Sequence, residues 1–396
     1  MFSIFSLKNG FENVKGFYFD GISSGIKAKN KNDLAFIRTD IECDIAAIFT
    51  ENRFRAAPIR HYLNYPKHFK TNFILMNSKN ANAMTGVKGI EDINDIFKNL
   101  KTKLGTIVNP VMSSTGVIGY RLNKEKICAA FEKFDFNAKN SDECAQAIMT
   151  TDSFKKEICL RVELEDGSAF HIAAICKGAG MINPAMATML CFIITDAAIP
   201  KSDMDEVLKN SAEQSFNTIS VDGDTSTNDT VMLMSSCESH AYDKTAFSTA
   251  LNQITKHLSL EILRDGEGSN KVVAFEVKGA ASLEDAKKAS KRLSNSLLVK
   301  TALFGEDPNW GRIASTIGAS RVTCSEEDLV IWYDDVEVYS KQNPSLDEET
   351  EKKANKVMKQ ESFKITCNLN VGSYSFTSYG CDLSYEYVKI NADYRS

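Results

Sequence analysis

The segment from Lys177 to Pro200, KGAGMINPAMATMLCFIITDAAIP, sets polar side chains at the edge of an apolar run. A glycine-rich turn, a proline-containing loop and the small-residue step Ala185-Met186-Ala187 lead to Thr188, the first polar side chain at the mouth of a stretch that reads as a buried strand or helix. Its hydroxyl has two readings. One is a satisfied hydroxyl at an element's edge. The other is a nucleophile uncovered when the peptide bond before it is cut, so that its own α-amine becomes the activating base. The chain has five histidines, at 61, 68, 171, 240 and 257, and none stands in a recognisable nucleophile motif. An α-amine, with a reference pKa of about 7.7–8.0 against about 10.4 for lysine, is partly neutral at pH 7. Covalent geometry holds that amine two bonds from the carbon carrying Oγ, so the base is oriented at little entropic cost.

Other polar residues carry weaker signals. Lys177 precedes a Gly-Ala-Gly turn, which suits either a surface lysine or a cation that receives a carboxylate. Glu267 lies between two glycines, where it is either a solvated loop carboxylate or a partner for a substrate amine. SSTG at 113–116 is by itself a turn or helix-cap signal. Asp222, Asp224 and Asp265 lack the ligand spacing of a calcium loop, so no metal is expected. The glycines of DGDTS and DGEGS follow neither phosphate-binding pattern, so no nucleotide cradle is expected.

The elements that must hold these residues mix strands and helices. Strand-like runs cover 72–76, 170–176, 271–277, 329–333, 364–370 and 374–379. Helical spacing links Phe247, Leu251, Ile254, Leu258 and Ile262, and also Ala286, Ala289, Leu293 and Leu297 behind a Ser282/Asp285 cap. A further helix is expected to start at Ser202, with Asp205 three residues on. Regular βαβ alternation is missing, which points to layered α+β with antiparallel or mixed sheets. The charged stretch 341–361 reads as an exposed loop and a solvated helix.

Composition narrows the classes. At 396 residues, with 43% hydrophobic and 25% charged side chains, the chain is globular and long enough for two or three domains. With 47 Lys and Arg against 52 Asp and Glu, it has no basic field for nucleic acid. The ten cysteines form no C-x-x-C pair and read as buried thiols of a reducing compartment. The longest apolar stretch, 185–194, falls short of the roughly 18 residues of a membrane span, and the amino terminus has no basic start with a long apolar core. A cytoplasmic protein is expected.

The Lys177–Ala198 stretch resembles the nucleophile region of the glutamate N-acetyltransferase (ornithine acetyltransferase) family of arginine biosynthesis. That family's precursor cleaves itself before the Thr of M-A-T-M-L, which stands here as Met186 to Leu190. The likeness covers nearly the whole chain: GIKAKNKNDLAFI (25–37), FTENRFRAAPI (49–59), NSKNANAMTG (77–86), SSTGVIG (113–119), AIMTTDSF (147–154), VDGDTSTNDT (221–230), RDGEGSNK (264–271), FGEDPNWGR (304–312) and INADYRS (390–396).

The resemblance implies a four-layer α-β-β-α sandwich of the self-cleaving amino-terminal-nucleophile type. It implies cleavage at Ala187–Thr188 into an α chain of 1–187 and a β chain of 188–396, associated as α2β2. Thr188 would be the nucleophile, with Thr115 Oγ and Gly116 N–H as the oxyanion hole. Substrate contacts would be Thr151, Lys177, Thr188, Glu267, Asn391 and Ser396. The implied reaction moves acetyl from N-acetylornithine to glutamate without metal or cofactor; acetyl-CoA is a donor for some members. The alternative is a related self-processed amidohydrolase or aminopeptidase that passes the acyl group to water. Departures from the family pattern are Lys79 for Gly, Met84 for Cys, Asn183 for His, Pro308 for a small residue and Ser396 for Thr.

Overall fold

The computed structural model describes residues 1–8, 10–183 and 189–393. Its strands in chain order are β1 (Phe2–Leu7), β2 (Phe17–Ile22), β3 (Leu34–Phe49), β4 (Lys70–Asn77), β5 (Val111–Ser114), β6 (Lys156–Leu164), β7 (Ala169–Lys177), β8 (Leu190–Thr195), β9 (Ile219–Ser220), β10 (Thr230–Ser235), β11 (Val272–Ala280), β12 (Val330–Tyr333), β13 (Val336–Tyr339), β14 (Ser362–Asn368) and β15 (Tyr374–Cys381). The helices are α1 (Ala57–Leu63), α2 (Gly86–Leu104), α3 (Lys124–Ala130), α4 (Ser141–Ile148), α5 (Lys201–Gln214), α6 (Lys244–Arg264), α7 (Leu283–Ser294), α8 (Leu297–Phe304), α9 (Trp310–Ala319), α10 (Glu348–Met358) and α11 (Tyr385–Asp393).

β3 is the pivot of the larger sheet. Its first part pairs antiparallel with β2 and β4, its last part, Ile45–Phe49, pairs with β10, and the register against β4 slips between Arg38 and Cys43. The long strand therefore passes from one β layer, β2-β3-β4-β5, into another, β1-β6-β7-β8-β10-β3. Phe17, Phe19, Ile37, Ile74 and Met76 of the first layer meet Ile175, Phe192, Ile194, Met232 and Met234 of the second in one buried cluster. Alternate residues face outward. Phe170, Ile172, Cys191, Ile193 and Leu233 pack under Val207, Leu208, Phe247, Leu251 and Ile254 of α5 and α6. Leu34, Phe36, Phe73 and Leu75 pack under Ile93, Ile96, Leu100 and Ile127 of α2 and α3. The four layers α-β-β-α are thus present, with mixed strand directions as expected. Truncating one of these filled positions, such as Ile254→Ala, costs about 2–5 kcal/mol.

A second sheet, ordered β13-β12-β14-β11-β15-β9, carries α7, α9 and α10 on one face through Phe275, Ile331, Ile365, Leu293, Ile317 and Val357. α6 touches both sheets.

The apolar run after Thr188 resolves as strand from Leu190. β8 lies between β7, antiparallel, and β10, parallel, and every residue of it is buried, which gives a continuous apolar run instead of alternation. Two helix expectations shift. The helix expected to run through Leu297 ends at Ser294, because Asn295 leaves the helix and turns its side chain to Ser220 and Asn183. The helix expected to begin at Ser202 begins at Lys201, after Pro200. The 341–361 stretch contains α10, whose outer side is exposed while Ala354, Val357 and Met358 are buried. The cysteines are free, but Cys128 and Cys324 are only half-buried and Cys237 is exposed, where burial was expected. Among the described residues no helix is long and apolar enough to cross a membrane.

Candidate active site

The parallel strands β4 and β5 reach Asn77 and Ser114 side by side, and the chain beyond them stays stitched. Thr115 N–H donates to Asn77 O at 3.0 Å, Val117 N–H to Lys79 O at 3.1 Å and Ala81 N–H to Val117 O at 3.1 Å. Gly116, at φ 132°, presses against this second segment: a Cβ there would stand 2.2 Å from the Lys79 carbonyl carbon. Only glycine fits so close an approach. Lys79 itself has φ 75°, a left-handed backbone that favours glycine. Asn228 ties the two segments together, its Nδ2 donating to Ala81 O at 2.7 Å and Ser114 O at 2.8 Å.

β7 delivers Lys177 to the same cleft at its carboxyl end. The side chain is nearly sealed, 2% exposed, with Nζ 3.9 Å from Asp152 Oδ2. Asp152 also accepts from Thr150 N–H at 2.9 Å and Gly178 N–H at 2.7 Å, and lies 2.9 Å from Lys156 Nζ. Lys156 in turn contacts Asp265, which accepts from Ser153 N–H at 3.0 Å. Burial pushes the Asp152 carboxyl up, but the charges of Lys177 and Lys156 and the Thr150 N–H outweigh it and hold the group well below the usual carboxylate range. Burial likewise pulls Lys156 down, and Asp152 and Asp265 more than restore it. Lys27 feels the same cluster: burial lowers its ammonium to about 8 against the pull of Asp33 and Asp152, with Lys177 adding to the fall.

The facing wall is acidic. Glu267 N–H donates to Ala179 O at 2.8 Å, and Asn391 Nδ2 donates to Glu267 Oε2 at 2.7 Å. Gly180 makes room for this carboxylate, since a Cβ there would meet Glu267 Oε2 at 2.4 Å. Asp222 stands nearby, its carboxyl pushed up by burial and eased back by the N–H groups of Met181, Asp224 and Ile182.

Thr115, Gly116, Thr151, Lys177, Glu267 and Asn391 therefore line one cleft, together with Met181, Asp222, Asp224, Asn228 and Tyr387. Ala187, Thr188 and Ser396 lie outside the described residues. Among the described residues there is no cluster of His, Cys, Asp and Glu suited to a metal ion. A cation on one wall and carboxylates on the other suit a ligand carrying both a carboxylate and an amine. Sequence reasoning missed Asp152, Lys156, Asn228 and Asp229. Asp152, Asn228 and Asp229 stand inside the quoted blocks, but the ion pair joining Lys156 to Asp265 spans 109 residues and leaves no local signal.

Fold and cleft together define a layered α+β enzyme with a charged, amino-acid-sized recognition site. The ArgJ family model matches residues 18–396. Over 396 residues, all of both chains, the sequence is 55% identical to the arginine biosynthesis bifunctional protein ArgJ of Wolinella succinogenes. It is 38% identical to that of Listeria monocytogenes, covering 98% of this chain and 99% of the relative. A solved chain of the arginine biosynthesis bifunctional protein from Bacillus halodurans is 36% identical, covers 51% of this chain and 98% of its own, and has a TM-score of 0.48. The chain belongs to the ArgJ family. It is an enzyme of arginine biosynthesis, and the acetyltransferase reading of its sequence stands.

Proposed function

We propose that the chain cuts itself between Ala187 and Thr188 and then moves acetyl from N-acetylornithine to glutamate through an acetyl-Thr188 ester. In maturation, Thr188 Oγ attacks the Ala187 carbonyl, the acyl group shifts from nitrogen to oxygen, and water releases fragments 1–187 and 188–396. In turnover, the Thr188 amine takes the Oγ proton as Oγ attacks the acetyl carbonyl, and Thr115 Oγ and Gly116 N–H stabilise the oxyanion. The amine's proton leaves with ornithine. Glutamate then enters, and its amine takes the acetyl group in the reverse sequence, a ping-pong cycle.

Lys177 receives the α-carboxylate and Glu267 a substrate amine, with Thr151, Asn391 and Ser396 completing the contacts. No metal or organic cofactor takes part. The observation that carries this reading is the convergence of Thr115, Gly116, Thr151, Lys177, Glu267 and Asn391 on one cleft, from five separate stretches of chain. β8 and β10 of the 188–396 fragment lie between β7 and β3 of the other fragment, which supports two products that stay associated; their pairing as a cytoplasmic α2β2 assembly is part of the same proposal.

Mass spectrometry after brief incubation with N-acetylornithine tests the proposal. One acetyl group is expected on the fragment that begins at Thr188, stable until glutamate is added. Rapid loss of that acetyl to water would favour the hydrolase. Thr188→Ala is expected to remain one inactive chain on denaturing electrophoresis, and efficient acetyl transfer by it would remove Thr188 from the mechanism.

A further inference from the structure

The stretch 220–230 grips the chain on both sides of residues 184–188. On the upstream side Asp222 Oδ2 accepts from Met181 N–H at 2.6 Å and Oδ1 from Ile182 N–H at 2.9 Å. The Ile182 carbonyl accepts from Val221 N–H at 2.8 Å and from the Ser220 hydroxyl at 3.1 Å. Asn183 Nδ2 donates to Gly223 O at 2.7 Å. On the downstream side Asp229 Oδ1 accepts from Met189 N–H at 3.1 Å, and Thr230 N–H donates to Met189 O at 3.1 Å.

The Thr230–Met189 bond continues the β8–β10 ladder, but the side-chain contacts of Asp222 and Asp229 exceed what sheet pairing requires. β8 is already held along its length by β7 and β10, yet a buried carboxylate is added at Met189, one peptide bond after Thr188. Asp229 is fully buried, and its Oδ2 has no hydrogen-bond partner among the described residues. Burying an acid with one oxygen unsatisfied costs free energy, and a fold keeps such a group where its position is used. On the other side Met181 has φ 56°, a left-handed turn that the two Asp222 hydrogen bonds hold in place. Intramolecular attack depends on holding the reacting groups close and aligned, which anchoring the chain at Met181–Ile182 and at Met189 favours.

We infer that Asp222 and Asp229 form a two-point clamp that positions the chain between Asn183 and Met189 for self-cleavage, an inference that rests on the self-processing reading above. Both are positioning residues, acting through backbone N–H groups and making no bond to the reacting atoms. Both belong to the 188–396 fragment. The Asp222 contacts therefore become contacts between fragments after the cut and hold the carboxyl-terminal end of 1–187 at the cleft.

The test follows full-length chains made by cell-free translation at neutral pH, sampled over time on denaturing gels, with thermal unfolding as the check of folding. Asp222→Ala and Asp229→Ala are each expected to slow the appearance of the two fragments by about tenfold or more. Asp229→Asn keeps an amide oxygen that accepts from Met189 N–H, so it is expected to cleave within about threefold of the wild type. That rescue separates positioning from a general loss of stability. Should Asp229→Ala not fold, Asp222→Ala and the Asn variant carry the test. Wild-type rates in the folded alanine variants, or an Asn variant as slow as the slowed alanine variant, overturn the clamp. A wild-type chain that stays in one piece overturns the self-processing reading itself, and the clamp with it.

Discussion

Two lysines meet the buried carboxylate of Asp152, whereas the direct hydrogen bond to the buried carboxylate of Asp229 comes from a backbone N–H. Burial raises the pKa of both. At Asp152 the Lys177 and Lys156 charges reverse the effect, and the group is held ionised. At Asp229 the N–H of Met189, the hydroxyls of Thr50 and Ser226 and the more distant Lys177 charge do not overcome burial, and the carboxyl ends well above its ordinary range. Equal burial thus produces opposite protonation tendencies in one active-site region, and the partners decide the sign.

The largest expected effect comes from taking Asp152 away. Asp152→Ala strands the buried Lys177 and leaves Lys156 to Asp265, and is expected to cost about 3–5 kcal/mol in urea unfolding at pH 7. The pH dependence fixes the sign. A depressed carboxyl contributes stability above its unfolded pKa of about 3.9, and that contribution is lost as pH falls through the folded value. The penalty of the variant is therefore expected to shrink on acidification below about pH 4. A penalty independent of pH would break the comparison.

Removing Lys177 probes the same side of the cleft with a smaller effect. Lys177→Met leaves Asp152 paired to Lys156, so the loss is expected mainly in substrate affinity, about 2–3 kcal/mol, read as a raised KM for N-acetylornithine. A lowered kcat with KM unchanged would exclude Lys177 as the carboxylate's partner.

Asp229→Asn is the mildest and most diagnostic change. A raised carboxyl weakens the fold as pH climbs from the unfolded pKa of about 3.9 towards the folded value, because the unfolded chain releases its proton first. The neutral variant is expected to gain about 1 kcal/mol near pH 7 and little near pH 4. A loss of stability at pH 7 would mean that Asp229 is held as a paired carboxylate, like Asp152.

Much of the site was legible in the sequence because its residues stand in short blocks where a turn, a glycine or a hydroxyl has local meaning. Gly116 is such a case, since no side chain fits beside Lys79. The strands 170–176 and 374–379 and the helix through Phe247 and Ile262 were legible because apolar spacing follows from which face is buried. The helix break at Asn295 was not, because Asn295 is drawn out by Ser220 and Asn183, which are remote in sequence. The bend of β3 from one layer into the other is set by its partners β2, β4 and β10.

The order of residues by itself determined the family and the reaction class and singled out Thr188 as the proposed nucleophile, since covalent neighbours and short motifs carry that chemistry. Tertiary structure alone decided that Lys156 joins Asp152 to Asp265, that Asn228 ties the β4 and β5 ends, and that among the described residues no cation bonds Asp229. Those outcomes depend on distance and burial in space, and separation along the chain encodes neither.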